Sequence, residues 1–271
     1  MSDVVTLVLR APISEPLDAA SITPDRFSAL GEPEIAKLPV WVGRRQQQLG
    51  DWFDVRGGRS SHVHIAGDVR HACDIGASMT SGVLIIDGNG GARTGAGMAG
   101  GAIEIHGSAA DDLGVGMTGG VIHVRGDAGN RVGAGETGAS RGMIGGEIIV
   151  DGSVGADAGA RLRRGLIVVG GNAAERVGRA MIAGTVIVLG DTGAEPATGS
   201  KRGTLVVGGH TTIPPTYRYA CTYDPPHVRL ALTHVRRRYG VTIDRAFTER
   251  PYRRFCGDAG TVGRGEILWL T

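Results

Sequence analysis

Glycine recurs at a fixed spacing through more than half of the chain, and this repeat constrains the fold more than any other feature. One series advances by 19 residues, with a single step of 26: Gly82, Gly101, Gly120, Gly146, Gly165, Gly184 and Gly203. Two further series keep the same step and the same interruption, one from Gly88 to Gly209 and one from Gly76 to Gly178. The sequence from 62 to 209 is therefore an array of similar structural units.

Each unit contains a short run in which aliphatic residues alternate with other side chains. One column of the repeat holds Val63, Leu84, Ile103, Ile122, Ile148, Ile167, Val186 and Leu205, and a second holds Ile65, Ile86, Ile105, Val124, Val150, Val169, Val188 and Val207. Such alternation predicts a β-strand with one buried face, and a strand this short must stack on its neighbours to bury that face. The sequence therefore predicts an all-β fold: a parallel, right-handed, single-stranded β-helix of about seven to eight coils of 19 residues. Coils about 4.8 Å apart would make a rod roughly 35 Å long.

The segments on either side of the repeat predict small α/β caps, because a β-helix exposes unpaired strand edges at both ends. Residues 1–61 are expected to form an N-terminal cap, with a strand at 4–9 and a short helix opening at Thr23. Residues 62–209 form the glycine-rich β-helix, and 210–271 are expected to form a C-terminal cap and an arm along the rod, with a helix at 228–239 and a strand at 265–270. The step of 26 residues predicts a loop at about 135–141 that leaves the coil register intact.

The outward column between the two aliphatic columns changes character along the rod. It is partly polar in the first coils, at His64, Ile85, Glu104 and His123, and aliphatic afterwards: Ile149, Val168, Ile187 and Val206. Four stacked outward aliphatic side chains form a stripe that water would not cover in a monomer. We expect the arm at 210–271 to cover most of this stripe and partner proteins to cover the rest.

Three patterns resemble chemical sites, and each has a structural explanation that the sequence favours. The column Met79, Met98, Met117, Met143, Leu162 and Met181 predicts core packing more than soft-metal binding, because leucine binds no metal. The segments 95–100, 114–119 and 133–138 match a dinucleotide-binding fingerprint, yet no helix is predicted after any of them, so they are interpreted as coil corners. Glu104 and His123 could touch across adjacent coils, which favours an ion pair because a third metal ligand is missing. We therefore predict no catalytic, cofactor-binding or metal-ligating residue in this chain.

Composition and charge exclude several other classes of protein. With Lys+Arg 29 against Asp+Glu 27, the net charge of +2 gives no overall attraction to nucleic acid or membrane. The three cysteines are odd in number and far apart, which argues against a disulfide framework. Neither an export signal nor a membrane span is recognisable at residues 1–10, so a cytoplasmic location is expected.

The repeat units resemble a known family. The run from Gly120 to Gly135, with Ile122-His123-Val124-Arg125-Gly126-Asp127-Ala128-Gly129 inside it, is similar to the glycine-rich β-helix of the formylmethanofuran dehydrogenase C subunit and of the C-terminal domain of the glutamate synthase large subunit. A chain of 271 residues with its own flanking segments resembles the free-standing C subunit. The preference for arginine over lysine favours the bacterial member, which belongs to the formyltransferase/hydrolase complex of methylotrophs.

The resemblance implies a non-catalytic scaffold subunit of a multi-subunit enzyme of one-carbon metabolism. That complex is expected to move a formyl group between tetrahydromethanopterin and methanofuran and to release it as formate. The implied partners are the hydrolase, dehydrogenase-B-like and formyltransferase subunits, with the metal-dependent hydrolase centre in a partner.

Three alternatives stay open from the sequence. The chain could be a subunit of a molybdenum or tungsten formylmethanofuran dehydrogenase, a stand-alone β-helix acyltransferase, or a structural homo-oligomer. The step of 19 residues argues against the hexapeptide acyltransferases, whose turn is roughly 18 residues.

Overall fold

A computed structural model describes residues 4–271 of the chain, so the first three residues of the predicted N-terminal cap lie outside the described part. The strands are β1 Val5–Leu9, β2 Leu17–Asp18, β3 Pro39–Val42, β4 Arg45–Gln48, β5 Phe53–Arg56, β6 His62–Ala66, β7 Ala72–Cys73, β8 Val83–Ile86, β9 Ala102–Ile105, β10 Val121–Val124, β11 Glu147–Val150, β12 Leu166–Val169, β13 Thr185–Val188, β14 Arg202–Val207, β15 Arg218–Tyr223, β16 Tyr252–Gly257 and β17 Arg264–Leu270. The helices are α1 Pro24–Phe27, α2 Glu32–Ala36, α3 Leu49–Trp52, α4 Pro226–Tyr239 and α5 Ala246–Glu249. No helix among residues 4–271 is long and apolar enough to cross a bilayer.

The repeat forms a stack of parallel strands, which confirms the predicted β-helix. Strand β6 and strands β8 to β14 pair in order along one 13-stranded sheet. The pairing register joins equivalent positions of successive units, for example Leu84 with Ile103 and Ile122 with Ile148. Both aliphatic columns are buried inside the rod, where they form one continuous hydrophobic core with the methionine column and the N-terminal cap.

On a second side of the rod, successive coils are joined to one another mainly through polar side chains. Isolated parallel bridges link Gly90 with Ala109, and Ala109 with Ala128, in the same register as the strands. Beside them, Asn89 Oδ1 accepts a hydrogen bond from the Ser108 backbone N–H at 2.8 Å. The same contact recurs from Ser108, Asp127, Ser153, Asn172 and Asp191 to the next coil. Short polar residues therefore satisfy backbone donors where the chain has no regular strand.

The N-terminal segment covers the first coil on two sides. Strand β1 pairs parallel with β6 and antiparallel with β5, and it continues the main sheet beyond the repeat. Strands β4, β3, β2 and β7 form a separate four-stranded sheet, in which β7 comes from the long first coil. Phe27 and Phe53 are fully buried in this cap. The predicted strand at 4–9 and the short helix after Thr23 both form, and the cap ends with β4, α3 and β5 in direct succession apart from the loop that leads to β6.

The C-terminal segment both extends the rod and covers its outer face. Strand β17 pairs parallel with β14, so Ile267 and Trp269 continue the two inner columns after Leu205 and Val207. Helix α4 lies on the outward aliphatic stripe, and its buried residues Val228, Leu232 and Val235 join Ile149, Val168, Ile187 and Val206 in a second hydrophobic cluster. The structure thus confirms that the arm covers the stripe. The four stripe residues are fully buried within the chain, so the expectation that partner proteins cover part of the stripe was wrong.

The inserted segment at 135–141 is tied back onto the rod at several points. Both terminal nitrogens of Arg93 donate hydrogen bonds to the Glu136 carboxylate, at 2.9 and 3.0 Å. Arg131 donates to the Gly135 carbonyl at 3.0 Å, and Arg161 donates to the carbonyl of Ala139. The insertion leaves the strand register intact, as predicted, because β10 and β11 still pair position by position.

Candidate functional site

A group of seven ionisable side chains that contact one another lies on the outward face of the first coils, beside the area that α4 covers. We call it the coil-face network; its members are His64, Asp87, Glu104, His106, His123, Arg125 and Asp151. All of them lie on or directly after strands β6 to β11. Because outward positions of successive coils stack about 4.8 Å apart, side chains far apart in sequence meet there.

Two histidines share one carboxylate at the N-terminal end of the network. His64 Nε2 lies 2.8 Å from one oxygen of Asp87, and His106 Nδ1 lies 3.3 Å from the other. His106 Nε2 also lies 3.7 Å from Glu104. The side chains of His64, His106 and Asp87 are each between a third and a half exposed, so these histidine–carboxylate contacts are solvated and lie on the surface.

An arginine connects this end of the network to the next coils. Arg125 Nη2 donates a hydrogen bond to Glu104 at 2.8 Å, and Arg125 Nη1 lies 3.5 Å from Asp151. The hydrogen bond from Arg125 lowers the pKa of the Glu104 carboxyl. The carboxylate therefore stays charged at neutral pH, which suits an ion pair and not a proton donor.

His123 is the most buried histidine of the network, with 7% of its side chain exposed. It sits beside Glu104 in the strand register, as predicted, but its ring nitrogen Nε2 lies 3.0 Å from Asp151 on the following coil. The predicted neighbours Glu104 and His123 are thus each engaged by a different residue. An imidazole held by a carboxylate and shielded from water is fixed in orientation.

The end of α4 joins the network through an aromatic contact. The Tyr239 ring packs edge-on against His123, with 5.7 Å between ring centroids, and the Tyr239 hydroxyl donates a hydrogen bond to Glu147. His234 Nε2 lies 3.0 Å from the same Glu147 carboxylate. Burial raises the pKa of the Tyr239 hydroxyl to about 12, and the Glu147 carboxylate acts in the same direction. Tyr239 is therefore a hydrogen-bond donor that fastens α4 to the coils.

The arrangement holds charges in place but does not resemble a metal centre or a nucleophilic site. Among residues 4–271 there is no group of three or more His, Cys, Asp and Glu side chains that could hold a metal ion. The ring nitrogens of His64, His123 and His234 face carboxylates, whereas activation of a nucleophile requires a hydroxyl or thiol at that position. The geometry supports ion pairing and the recognition of polar partners.

The glycine segments that match the dinucleotide fingerprint are corners of the rod. Residues 95–100, 114–119 and 133–138 lie outside helices and strands, and one glycine separates each of the first two from the next rod strand. The methionine column is buried, with Leu162 in the same place, so it packs the core as predicted.

One ordered set of charges was not predicted from the sequence. At one corner of the rod, acidic and basic residues alternate from coil to coil, all with left-handed backbone: Asp74, Arg93, Asp112, Arg131, Asp157, Arg176 and Glu195. Arg93 pairs with Asp74 at 2.9 Å, and Arg131 pairs with Asp112 at 2.6 Å. The signal was available in the repeat, because the alternation appears when the same position of every coil is compared in turn.

Comparisons with known proteins agree with this architecture. No protein-family model matches the chain. A segment is 36% identical over 92 residues to the C subunit of molybdenum-containing formylmethanofuran dehydrogenase 1 of Methanosarcina barkeri, covering 32% of this chain and 31% of that protein. A segment is also 37% identical over 88 residues to the C subunit of the formyltransferase/hydrolase complex Fhc of Methylorubrum extorquens, covering 32% and 33%. These matches span about a third of each relative's length.

A solved structure matches over nearly the whole length of both chains. It is a chain in the crystal structure of the formyltransferase/hydrolase complex FhcABCD from Methylorubrum extorquens in complex with methylofuran. The TM-score is 0.90 and the sequence identity is 35%, with 98% of this chain and 99% of that chain covered. This chain therefore belongs to the family that contains the C subunits of formylmethanofuran dehydrogenases and of the formyltransferase/hydrolase complex.

Proposed function

We propose that the chain is a non-catalytic scaffold subunit of a formyltransferase/hydrolase complex. The observation that carries the proposal is the match at a TM-score of 0.90 over 98% of this chain to a chain of the FhcABCD complex. Such coverage includes both caps and the arm, which are the parts that a shared β-helix alone would not explain. We favour this complex over the molybdenum and tungsten dehydrogenases because the match that extends over nearly the whole chain is to a chain of FhcABCD, whereas the sequence matches to C subunits of either kind cover about a third of the chain.

In this proposal the partner subunits make and break the bonds. A formyltransferase subunit would move the formyl group from tetrahydromethanopterin to a methanofuran-type carrier, and a hydrolase subunit with its own metal centre would release formate. The assembly would also include a dehydrogenase-B-like subunit. The chain itself would hold these subunits at fixed positions, in the cytoplasm.

The regular pairing of the coils and the charges on their outward face support a scaffold role. A rod whose coils pair in one register along a 13-stranded sheet changes length or curvature only if many hydrogen bonds break together. The coil-face network presents fixed charges along the rod, and paired charges at a protein surface select a partner and its orientation. The three cysteines are free thiols, as in proteins of a reducing compartment.

The proposal is tested by isolating the assembly and the chain separately. The chain, tagged at its C-terminus, is purified from its native cells, and formate release from a formylated pterin is measured for the assembly and for the chain alone. We expect activity only in the assembly, with formyltransferase and hydrolase subunits present. Formate release by the isolated chain, or an isolated chain without these partners in native cells, would contradict the proposal.

A further inference from the structure

The main sheet ends at β15, and this strand leaves one edge open. Strand β15 pairs antiparallel with β16 on one side, and no other strand among residues 4–271 pairs with its second side. Every residue from Arg218 to Thr222 is exposed. An exposed edge strand offers a row of backbone donors and acceptors to another chain.

The opposite end of the same sheet is protected, so the open edge is confined to the end formed by β15. There the last strand is β5, which packs against helix α2. The Gly57 backbone N–H, directly after β5, donates a hydrogen bond to the Glu32 side chain of α2 at 3.1 Å. A helix covers the N-terminal end, and the C-terminal end has no equivalent cover within the described chain.

Side chains that commonly dominate protein interfaces are gathered at the open end. The Arg253 guanidinium lies over three rings, at 5.8 Å from Tyr219, 5.2 Å from Phe255 and 5.5 Å from Trp269. Tyr219 packs edge-on against Phe255, and Tyr219 is 55% exposed, among the most exposed large apolar groups. Tyrosine, tryptophan and arginine are the residues most enriched at binding hot spots.

The charge around this end is positive and not neutralised. Lys201, Arg202, Arg264 and Arg218 lie at or beside the starts of the last strands, and Arg202 and Arg264 are direct neighbours in the register. None of the four has a carboxylate within 4.0 Å in the part of the chain that the structure describes. The carboxylates near these strand starts are engaged elsewhere: Glu266 pairs with Arg254, and the buried Asp258 accepts backbone hydrogen bonds from Gly199 and Gly260.

This charge decides between two possible occupants of the edge. A second copy of the chain, paired edge to edge, would bring no carboxylate to Arg218 along the edge, because β15 itself contains no acidic residue. An acidic segment would instead place a carboxylate beside Arg218, and its continuation past the start of β15 would run towards Arg264, Arg202 and Lys201 at the starts of β17 and β14. Extended segments bind open sheet edges by adding a strand, with affinity from backbone hydrogen bonds and specificity from side chains.

We propose that β15 binds an extended, acidic segment of a partner subunit, which adds one further strand to the sheet. A carboxylate of the segment pairs with Arg218, further carboxylates beyond the start of β15 face Arg264, Arg202 and Lys201, and an apolar side chain packs on Tyr219 beside Arg253. The inference rests on the proposed function, because it requires that the chain work inside a larger assembly. It names the surface that the assembly uses and the chemistry of the segment that it binds.

Hydrogen exchange tests the added strand directly. The free full-length chain and the complex, obtained by co-expression with the other subunits, are compared amide by amide. We expect the β15 amides that point away from β16 to exchange at least about tenfold more slowly in the complex, because these amides become hydrogen-bonded in a sheet. Alkylation of Cys221, which is exposed on this strand, should slow in parallel. Unchanged exchange throughout β15 in an intact complex would overturn the inference.

Charge reversal tests the chemistry of the partner segment. Arg218→Glu should weaken binding of the partner at least about tenfold and make the remaining binding less sensitive to salt. The matched control is Arg245→Glu, which reverses an exposed arginine at the start of α5 in the same C-terminal segment. Both variants should keep the thermal midpoint of the free chain, because neither arginine is paired with a carboxylate in the described chain.

The outcomes separate the two proposals. If the wild-type chain assembles and Arg218→Glu binds the partners as tightly as Arg245→Glu, the acidic segment is wrong while the scaffold function stands. If the wild-type chain assembles with no partner, the proposed function fails, and this inference fails with it.

Discussion

At the scale of single residues, two columns of the repeat depend on each other. Each methionine reaches under the corner glycine of the next coil, so that a Cβ at Gly101 would meet Met79 Cε at 2.5 Å, and one at Gly120 would meet Met98 Cε at 2.7 Å. These corner glycines also have left-handed backbone, with φ of 82° at both positions. Both the backbone conformation and the missing side chain are therefore required there.

A pair of glycine substitutions separates these two requirements. Gly120→Ala must accept a left-handed alanine and close contacts with Met98 Cε at 2.7 Å and with the backbone of Gly100 and Gly101 at 2.9 Å, so we expect it to lower the free energy of unfolding by about 2–5 kcal/mol. Gly116→Ala meets nothing closer than 3.6 Å at φ of 67°, and Ala180 already occupies the equivalent corner, so about 1 kcal/mol is expected. Urea denaturation measures both. Equal losses would show that the close contacts at Gly120 have no effect.

The contact between Tyr239 and Glu147 predicts a pH-dependent contribution to stability. Tyr239→Phe removes the hydroxyl that donates to Glu147 and should cost about 1–2 kcal/mol at neutral pH. Because burial, together with Glu147, raises the pKa of Tyr239 to about 12, the folded state favours the protonated hydroxyl. This contribution is complete below the ordinary tyrosine pKa of about 10 and is lost as the pH rises from there towards 12.

Denaturation of both proteins at increasing pH tests this sign. Other tyrosines with raised pKa, such as Tyr217, titrate in both proteins and cancel in the comparison. The difference in unfolding free energy between wild type and Tyr239→Phe should shrink between about pH 10 and pH 12. A difference that stays constant or grows over this range would contradict the assigned contact.

At the scale of secondary-structure elements, the repeat made the rod strands predictable, whereas contacts between distant segments were not. Alternation of Leu84 and Ile86 predicts β8 because burial of one face is a local property of the strand. The hydrogen-bond partner of His123 is Asp151, which lies on the next coil but 28 residues later in the sequence, because the insertion lengthens that coil. Tyr239 and His234 arrive from α4, and nothing in the repeat gives the position of that helix relative to Glu147. The outward stripe did predict that some element would lie there.

Helix α4 provides a prediction about how the arm is held. Leu232 is 1% exposed and packs on the outward stripe, so Leu232→Ala should lower the free energy of unfolding by about 2–5 kcal/mol. Leu230 lies on the same helix but is 72% exposed, so Leu230→Ala should change it by less than about 0.5 kcal/mol. The two variants remove the same atoms and have the same change in helix propensity. The difference between their unfolding free energies, measured by thermal or urea unfolding, therefore reports the burial of Leu232. Similar values for both would mean that α4 does not pack on the rod as described.

At the scale of the whole molecule, the chain is a rod with one protected end and one open end. The N-terminal cap closes the sheet with β5 and α2, whereas the C-terminal end presents β15 and a band of unpaired cations. The fold class followed from the glycine period, because only stacked coils bury the same columns in every unit. The open edge could not be predicted from the sequence, since β15, β16 and β17 pair in an order that the repeat does not encode.

The central claim is that this chain works as one subunit of a larger formyl-transferring assembly. Native mass spectrometry of the untagged protein, purified from its own cells at moderate salt, tests it most directly. We expect the 28.0 kDa chain within a hetero-oligomer that dissociates into formyltransferase and hydrolase subunits. Detection of the chain only at 28.0 kDa, or only at whole multiples of that mass, would contradict the claim.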